Sequence, residues 1–138
     1  MKKKVTLVLT TINSYNKVRK IDNLANKNSV NFIVIGDKKS PKNFKLVYGD
    51  YFDVKKQGKL DFNIIKKCPY HSYSRKNIGY LKAIKLKSTF IIETDDDNEI
   101  KENFFKNITL HHSAKNILTN GWINIYNAFL KNKNIKIW

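Results

Sequence analysis

Two apolar runs near the start of the chain predict a βαβ unit. Val5–Ile12 and Val30–Ile35 are nearly continuous in apolar and β-branched residues. This pattern is typical of strands that are buried on both faces of a parallel sheet. Between them, apolar residues recur at three- and four-residue spacing, which predicts an amphipathic helix over Tyr15–Lys27, with Asn13 or Ser14 as its cap. Such a unit implies parallel strands joined by a right-handed crossover.

A later stretch repeats the strand pattern and ends in three negatively charged residues. Phe90–Asn98 begins with an apolar run and continues directly into Asp95, Asp96 and Asp97. A helix is predicted before it, over Ser74–Ile84, with Ser74 as N-cap and with Gly79 inside it, where a glycine allows a close approach of backbone or ligand. Weaker patterns predict strands at Phe44–Tyr48 and Asp61–Ile65, and helices within Glu99–Ile108 and Gly121–Leu130.

The three consecutive aspartates are the main candidate for chemistry. The chain has 11 acidic residues against 27 basic ones, so three adjacent acids are unexpected. Neighbouring carboxylates repel each other unless a cation lies between them. Their hard oxygen atoms suit Mg²⁺ or Mn²⁺, which commonly share their coordination shell with substrate phosphates. The alternative is a polar turn stabilised by an Asx cap.

Other polar residues follow the predicted strands at the same edge of the sheet. Thr11 and Asn13 lie at the end of the first strand, and Asp37 follows the second in a loop that runs to Pro41. Ligands of open α/β sheets bind at this edge, although a single aspartate there is more often a turn former. Arg75 is predicted in the first turn of its helix, where guanidinium and helix dipole together favour a diphosphate; the alternative is a surface charge.

Composition limits the possible classes of protein. The 138 residues suit one domain, 1–138, and no apolar stretch approaches the ~20 residues of a membrane helix. The basic start lacks a cleavage site, so a cytoplasmic protein is expected.

The net charge of +16 invites a nucleic-acid partner, but Arg19 and Arg75 are the sole arginines, so no specific nucleic-acid binding is expected. Cys68 is the single cysteine, which excludes a disulfide framework.

Four segments, in this order, resemble the STELLO-type family of GT-A glycosyltransferases. They are Leu9–Asn13, Ile35–Pro41, Arg75–Ile84 and Glu93–Asn98, and Gly121–Tyr126 and Ile137–Trp138 also fit. The resemblance implies an α/β fold of the GT-A, Rossmann-like kind, with an open, mostly parallel sheet flanked by helices. It also implies a donor-binding part whose acceptor part is missing, so that the domain is incomplete at its C-terminus.

The resemblance further implies roles for individual residues. Thr11, Asn13 and Asp37 would contact the nucleoside and Arg75 the nucleotide. In the DXD motif, Asp96 would hold the ribose and Asp97 the divalent metal, Mn²⁺ or Mg²⁺, with Asp95 as an alternative ligand. The donor suggested is a nucleotide-diphosphate sugar, in particular a uridine diphosphate sugar, and the acceptor is unknown.

Two functions from different classes follow. The first is a metal-dependent glycosyltransferase, for which no residue is identified as the catalytic base. The second is a non-enzymatic basic module that binds nucleic acid or other polyanions. A metal-dependent nuclease is a weaker third option, because no second acidic cluster is evident.

The adjacent His111 and His112 are interpreted as structural or surface residues, since neighbouring side chains do not face the same way.

Overall fold

A computed structural model describes residues 5–108, 113, 120 and 121. The chain forms two compact units, Met1–Ile108 and Thr109–Trp138. All the secondary structure given below belongs to the first unit. His111, His112, Ile137–Trp138 and all but the first residue of the helix predicted over Gly121–Leu130 lie outside the described residues.

Four strands and three α-helices make up the described architecture. The strands are β1 (Val5–Thr10), β2 (Asn31–Ile35), β3 (Asp50–Phe52) and β4 (Phe90–Glu93). The α-helices are α1 (Tyr15–Lys27), α2 (Val54–Gln57) and α3 (Lys76–Lys85). Short 3-10 helices cover Asn63–Lys66, Tyr73–Arg75 and Phe104–Asn107. Within the described part of the chain, no helix is long and apolar enough to cross a membrane.

The sheet is open and entirely parallel among these strands, in the order β3-β2-β1-β4. Val8 of β1 stands beside Ile33 of β2 on one side and Glu93 of β4 on the other. The predicted α/β, Rossmann-like class is therefore confirmed. Since parallel strands end on the same side, the residues that follow β1, β2 and β4 meet at one sheet edge.

Alternate side chains of β1 enter two separate cores. Leu7 and Leu9 pack with α1 residues such as Val18, whereas Val8 packs with Ile78 of α3. This follows from the two-residue period of a strand, which turns successive side chains to opposite faces. Helices therefore cover both faces of the sheet, and the near-continuous apolar strands match that burial.

Gly79 allows α3 to approach the sheet closely. A Cβ at this position would lie 2.4 Å from Val8 Cγ1 and 3.2 Å from Ile35 Cγ1. The predicted close approach is confirmed, and the partners are strand side chains. The predicted helix cap is wrong by two residues, because the Ser72 hydroxyl accepts the Ser74 amide ahead of the 3-10 helix that leads into α3.

The strand predicted at Phe44–Tyr48 is wrong. Phe44 and Leu46 are buried beside α1, so their alternation imitates a strand. The chain there is a loop, and the third strand begins only at Asp50. The amides of Val47 and Tyr48 do not join the sheet but donate to the Asp22 carboxylate.

Two other weak predictions also change. The strand predicted at Asp61–Ile65 is wrong, because the backbone closes locally into a 3-10 helix, with the Lys67 amide donating to Ile64 oxygen at 2.9 Å. The helix predicted within Glu99–Ile108 is limited to the 3-10 turn Phe104–Asn107.

Asp22 is a buried carboxylate that organises the loop before β3. It accepts hydrogen bonds from the amides of Val47, Tyr48 and Gly49 at 2.9, 3.2 and 2.9 Å. The Tyr15 hydroxyl donates to it at 3.2 Å. Burial, together with the nearby Asp22 charge, raises the pKa of the Tyr15 phenol. A fully buried acid on α1 thus satisfies three backbone amides of a loop outside the sheet.

We expect Asp22→Asn to lower the free energy of unfolding by about 2 kcal/mol, because the amide nitrogen would oppose a backbone donor. Urea denaturation measures this change. Asn23→Ala, an exposed neighbour on the same helix, is the control and should change stability little. Equal stability of Asp22→Asn and the wild type would contradict the proposed role of the carboxylate.

We expect Gly79→Ala to destabilise the fold by about 1–3 kcal/mol, because the new methyl overlaps the Val8 side chain. Gly58→Ala is the matched control, since its Cβ would make ordinary contacts at 3.5 Å and its φ is −62°. That variant should be neutral or more stable by about 0.5 kcal/mol. Thermal unfolding of both variants tests the pair, and an equal response at the two sites would rule out the steric explanation.

Candidate functional site

A pocket of about 400 Å³ opens at the carboxyl ends of β1 and β2. Its walls come from four segments: the end of β1, the loop after β2, the segment before α3 and the turn after β4. The structure brings five of the predicted site residues to this one pocket, namely Thr11, Asn13, Asp37, Arg75 and Asp96. They span the chain from the first strand to the fourth, so the parallel topology assembles the site.

Asp96 is held by the residues that follow β1. Its Oδ2 accepts hydrogen bonds from the Thr11 hydroxyl and, at 2.8 Å, from Asn13 Nδ2. The Thr11 hydroxyl also accepts the Asn13 backbone amide at 3.0 Å. These bonds link the ends of β1 and β4, and they fix the orientation of the Asp96 carboxylate at the pocket wall.

Asp37 joins two loops of the pocket. One carboxylate oxygen accepts the Lys38 amide at 2.6 Å, and the other accepts the His71 amide at 2.7 Å. The His71 backbone has a φ of 55°, the left-handed region that non-glycine residues seldom adopt. Asp37 therefore acts as a turn former here, and it stabilises the distant loop around His71 as well as its own.

Arg75 lies directly before α3 and is 2 % exposed. Its Nη1 donates to Cys68 oxygen at 3.2 Å, and its Nη2 donates to Gln57 Oε1. Its Nε has no partner among the described residues. The guanidinium is therefore a buried charge in the pocket wall, and the alternative interpretation as a surface charge is wrong.

Gln57 is a site-forming residue that the sequence did not reveal. Its side chain is fully buried, and its Nε2 donates to the carbonyls of Gly36 and Phe52, both at 2.7 Å. It therefore joins the ends of β2 and β3 to Arg75. Its segment has no clear helical periodicity, because α2 is a single turn that ends just before Gly58.

Positive charge is concentrated on one aromatic ring beside the pocket. Lys38 Nζ lies 3.9 Å and Arg75 Cζ lies 4.6 Å from the centre of the Tyr70 ring. An aromatic face attracts cations, which partly offsets their mutual repulsion. The segment before α3 also contributes His71, Ser72 and Tyr73 to the pocket lining, and Tyr73 is 77 % exposed.

The three adjacent aspartates have different surroundings. Asp95 accepts Lys76 Nζ at 2.7 Å, Asp96 is bound as described above, and Asp97 is exposed. Among residues 5–108, 113, 120 and 121, no group of three His, Cys, Asp or Glu side chains is placed to hold a metal ion. The oxygen donors suit a hard cation that takes most of its ligands from water and phosphate, rather than a closed protein cage.

Comparison with known proteins gives a partial match. The chain is 32 % identical over 68 residues to "Probable glycosyltransferase STELLO2" and 31 % identical over 68 residues to "Probable glycosyltransferase STELLO1", both from Arabidopsis thaliana. Each match covers 49 % of this chain and 9 % of the plant protein. No known family profile matches the chain. The similarity indicates a relationship to glycosyltransferases over half of the chain.

We expect Gln57→Leu to destabilise the protein by about 3 kcal/mol, because it removes the acceptor of Arg75 Nη2 and the donor to two carbonyls. Leucine keeps a similar volume, so the loss reports on hydrogen bonding. Lys55→Leu, on the exposed face of the same helix, is the control and should stay within about 0.5 kcal/mol of wild type. Guanidinium denaturation compares the variants, and similar midpoints would contradict the assigned role of Gln57.

Proposed function

We propose that this chain forms the donor-binding part of a metal-dependent glycosyltransferase. It would bind a nucleotide-diphosphate sugar, in particular a uridine diphosphate sugar. The observation that carries the proposal is the convergence of Thr11, Asn13, Asp37, Arg75 and Asp96 on one pocket at the carboxyl edge of a parallel sheet. The similarity to probable glycosyltransferases of a plant supports the same class of reaction.

The nucleoside would occupy the side of the pocket next to β1. The Asp96 carboxylate, oriented by Thr11 and Asn13, is an acceptor suited to the hydroxyl groups of a ribose. A volume of about 400 Å³ lies within the usual range for small-molecule sites. Asp37 contributes mainly by fixing the loop around His71, because both of its oxygens already accept backbone amides.

The diphosphate would lie toward the segment before α3. The 3-10 helix Tyr73–Arg75 leads directly into α3, so the positive end of the combined helix begins near Ser72, which lines the pocket. Helix amino termini favour anions. Arg75 adds a buried positive charge at the same wall, and Lys39 adds another at the rim.

Asp97 would supply the carboxylate ligand of a divalent cation whose remaining ligands are phosphate oxygens and water. When bound, such a cation neutralises the charge that grows on the departing diphosphate. In the transfer, the bond between the anomeric carbon and the diphosphate oxygen breaks. A bond from that carbon to the acceptor nucleophile forms, and the nucleotide diphosphate leaves. The acceptor proton passes to a base that is not assigned among the described residues.

The alternative function is a basic module that binds nucleic acid or other polyanions. The net charge of +16 favours it. Such binding would weaken steeply with added salt and would not depend on Mn²⁺. It also needs no convergence of Asp96, Thr11 and Asn13, which is why the geometry favours the transferase.

We expect uridine diphosphate to bind the purified chain in the presence of Mn²⁺ and to bind weakly without it. Asp97→Asn should reduce the metal-dependent affinity at least about tenfold, since even supporting residues of metal sites contribute on that scale. Glu99→Gln, an exposed acid two positions along, is the control and should leave the affinity unchanged. Calorimetric titration measures all three proteins.

Two outcomes would contradict the proposed function. If folded protein showed no metal-dependent binding of the nucleotide, the donor site would be rejected. If a DNA oligonucleotide bound tightly, with a steep salt dependence and no effect of Mn²⁺, the polyanion module would be favoured instead.

A further inference from the structure

Lys76 is a buried ammonium group beside the acidic triplet. It is the first residue of α3 and is 6 % exposed, and its Nζ lies 2.7 Å from Asp95 Oδ1. The Asp95 side chain is 44 % exposed. The pair is thus buried on the lysine side and open to water on the carboxylate side.

The burial of Lys76 makes this pairing difficult to exchange. A buried ammonium without a partner is costly, because it has lost its hydration. Among the described residues, Asp95 is the carboxylate that pairs with it, and the Tyr73 ring, with its centre 5.9 Å from Nζ, is a weaker second contact. Lys76 therefore holds Oδ1 of Asp95, and a metal ion could reach only the other oxygen of a carboxylate whose charge the ammonium already balances.

The neighbouring acids are differently constrained. Asp96 is bound to Thr11 and Asn13 through one oxygen, and Asp97 is exposed. A divalent cation that approaches the triplet without a nucleotide therefore meets one exposed carboxylate, one oriented carboxylate and one that is already neutralised. Mg²⁺ and Mn²⁺ bind weakly to so few protein oxygens, because they give up water reluctantly.

We propose that Lys76 competes with a divalent cation for Asp95, by binding one of its oxygens and balancing its charge, so that the cation binds firmly only together with the diphosphate. Lys76 is then a positioning residue that makes metal entry conditional on the donor. The inference rests on the proposed function, because it takes the metal and the diphosphate from it. It adds a specific residue and a specific order of binding to that function.

The test is a titration of the protein with Mn²⁺ alone, without nucleotide. The electron paramagnetic resonance signal of free Mn²⁺ measures how much of the ion is bound. Wild-type protein should bind Mn²⁺ weakly. Lys76→Met keeps a long unbranched side chain without the charge and releases Asp95, so it should bind Mn²⁺ at least about tenfold more tightly. Lys85→Met, an exposed lysine on the same helix, removes the same charge and should change the affinity less than about threefold.

A double variant separates ligation by Asp95 from a general charge effect. Lys76→Met with Asp95→Asn should return Mn²⁺ affinity to within about threefold of wild type, because the released carboxylate is then absent. If Lys76→Met bound Mn²⁺ no more tightly than wild type, or if the double variant kept the gain, the proposal would be overturned. Circular dichroism checks folding, and Lys76→Gln replaces Lys76→Met if the latter does not fold.

A further arm separates this inference from the proposed function. Adding uridine diphosphate to wild-type protein should increase its affinity for Mn²⁺ at least about tenfold. Failure of that increase would reject the donor site itself. A normal increase, with no gain in the Lys76→Met variant titrated with Mn²⁺ alone, would reject only the role of Lys76.

Discussion

Parallel pairing of β1 with both β2 and β4 is the constraint on which the rest of the structure depends. Parallel neighbours cannot be joined by a tight turn, so the chain crosses over the sheet between them, with α1 after β1 and α3 before β4. The alternate side chains of β1 are therefore buried on both sides, against α1 and α3. The same pairing places the ends of three strands side by side, and this is why distant residues form one pocket.

Buried polar side chains form hydrogen bonds with backbone groups at and beyond the strand ends. Asp22 accepts hydrogen bonds from three amides of the loop before β3. Gln57 donates to two carbonyls at the ends of β2 and β3 and accepts a hydrogen bond from Arg75. Each group is buried but hydrogen-bonded, which is the condition under which burial of polar atoms is tolerated. Gln57 therefore supports the Arg75 side of the pocket, whereas Asp22 supports the loop before β3.

The acidic triplet shows how tertiary contacts divide identical residues. Asp95, Asp96 and Asp97 are chemically alike and adjacent, yet a lysine binds the first, β1-end residues orient the second, and the third is exposed. A carboxylate can serve as a metal ligand only with the oxygens that its neighbours leave available. The hydrogen-bond partners of each carboxylate therefore indicate its function better than its position in the motif does.

The sequence by itself determined the fold class, the main strands and helices, and five of the residues that line the pocket. It did so because apolar periodicity reports burial, and burial of strands on both faces is typical of a parallel sheet. Only the tertiary structure decided that Phe44–Tyr48 is a loop, that Gln57 supports Arg75 and that Lys76 pairs with Asp95. Those outcomes depend on hydrogen-bond partners far apart in the chain, and local pattern carries no information about such partners.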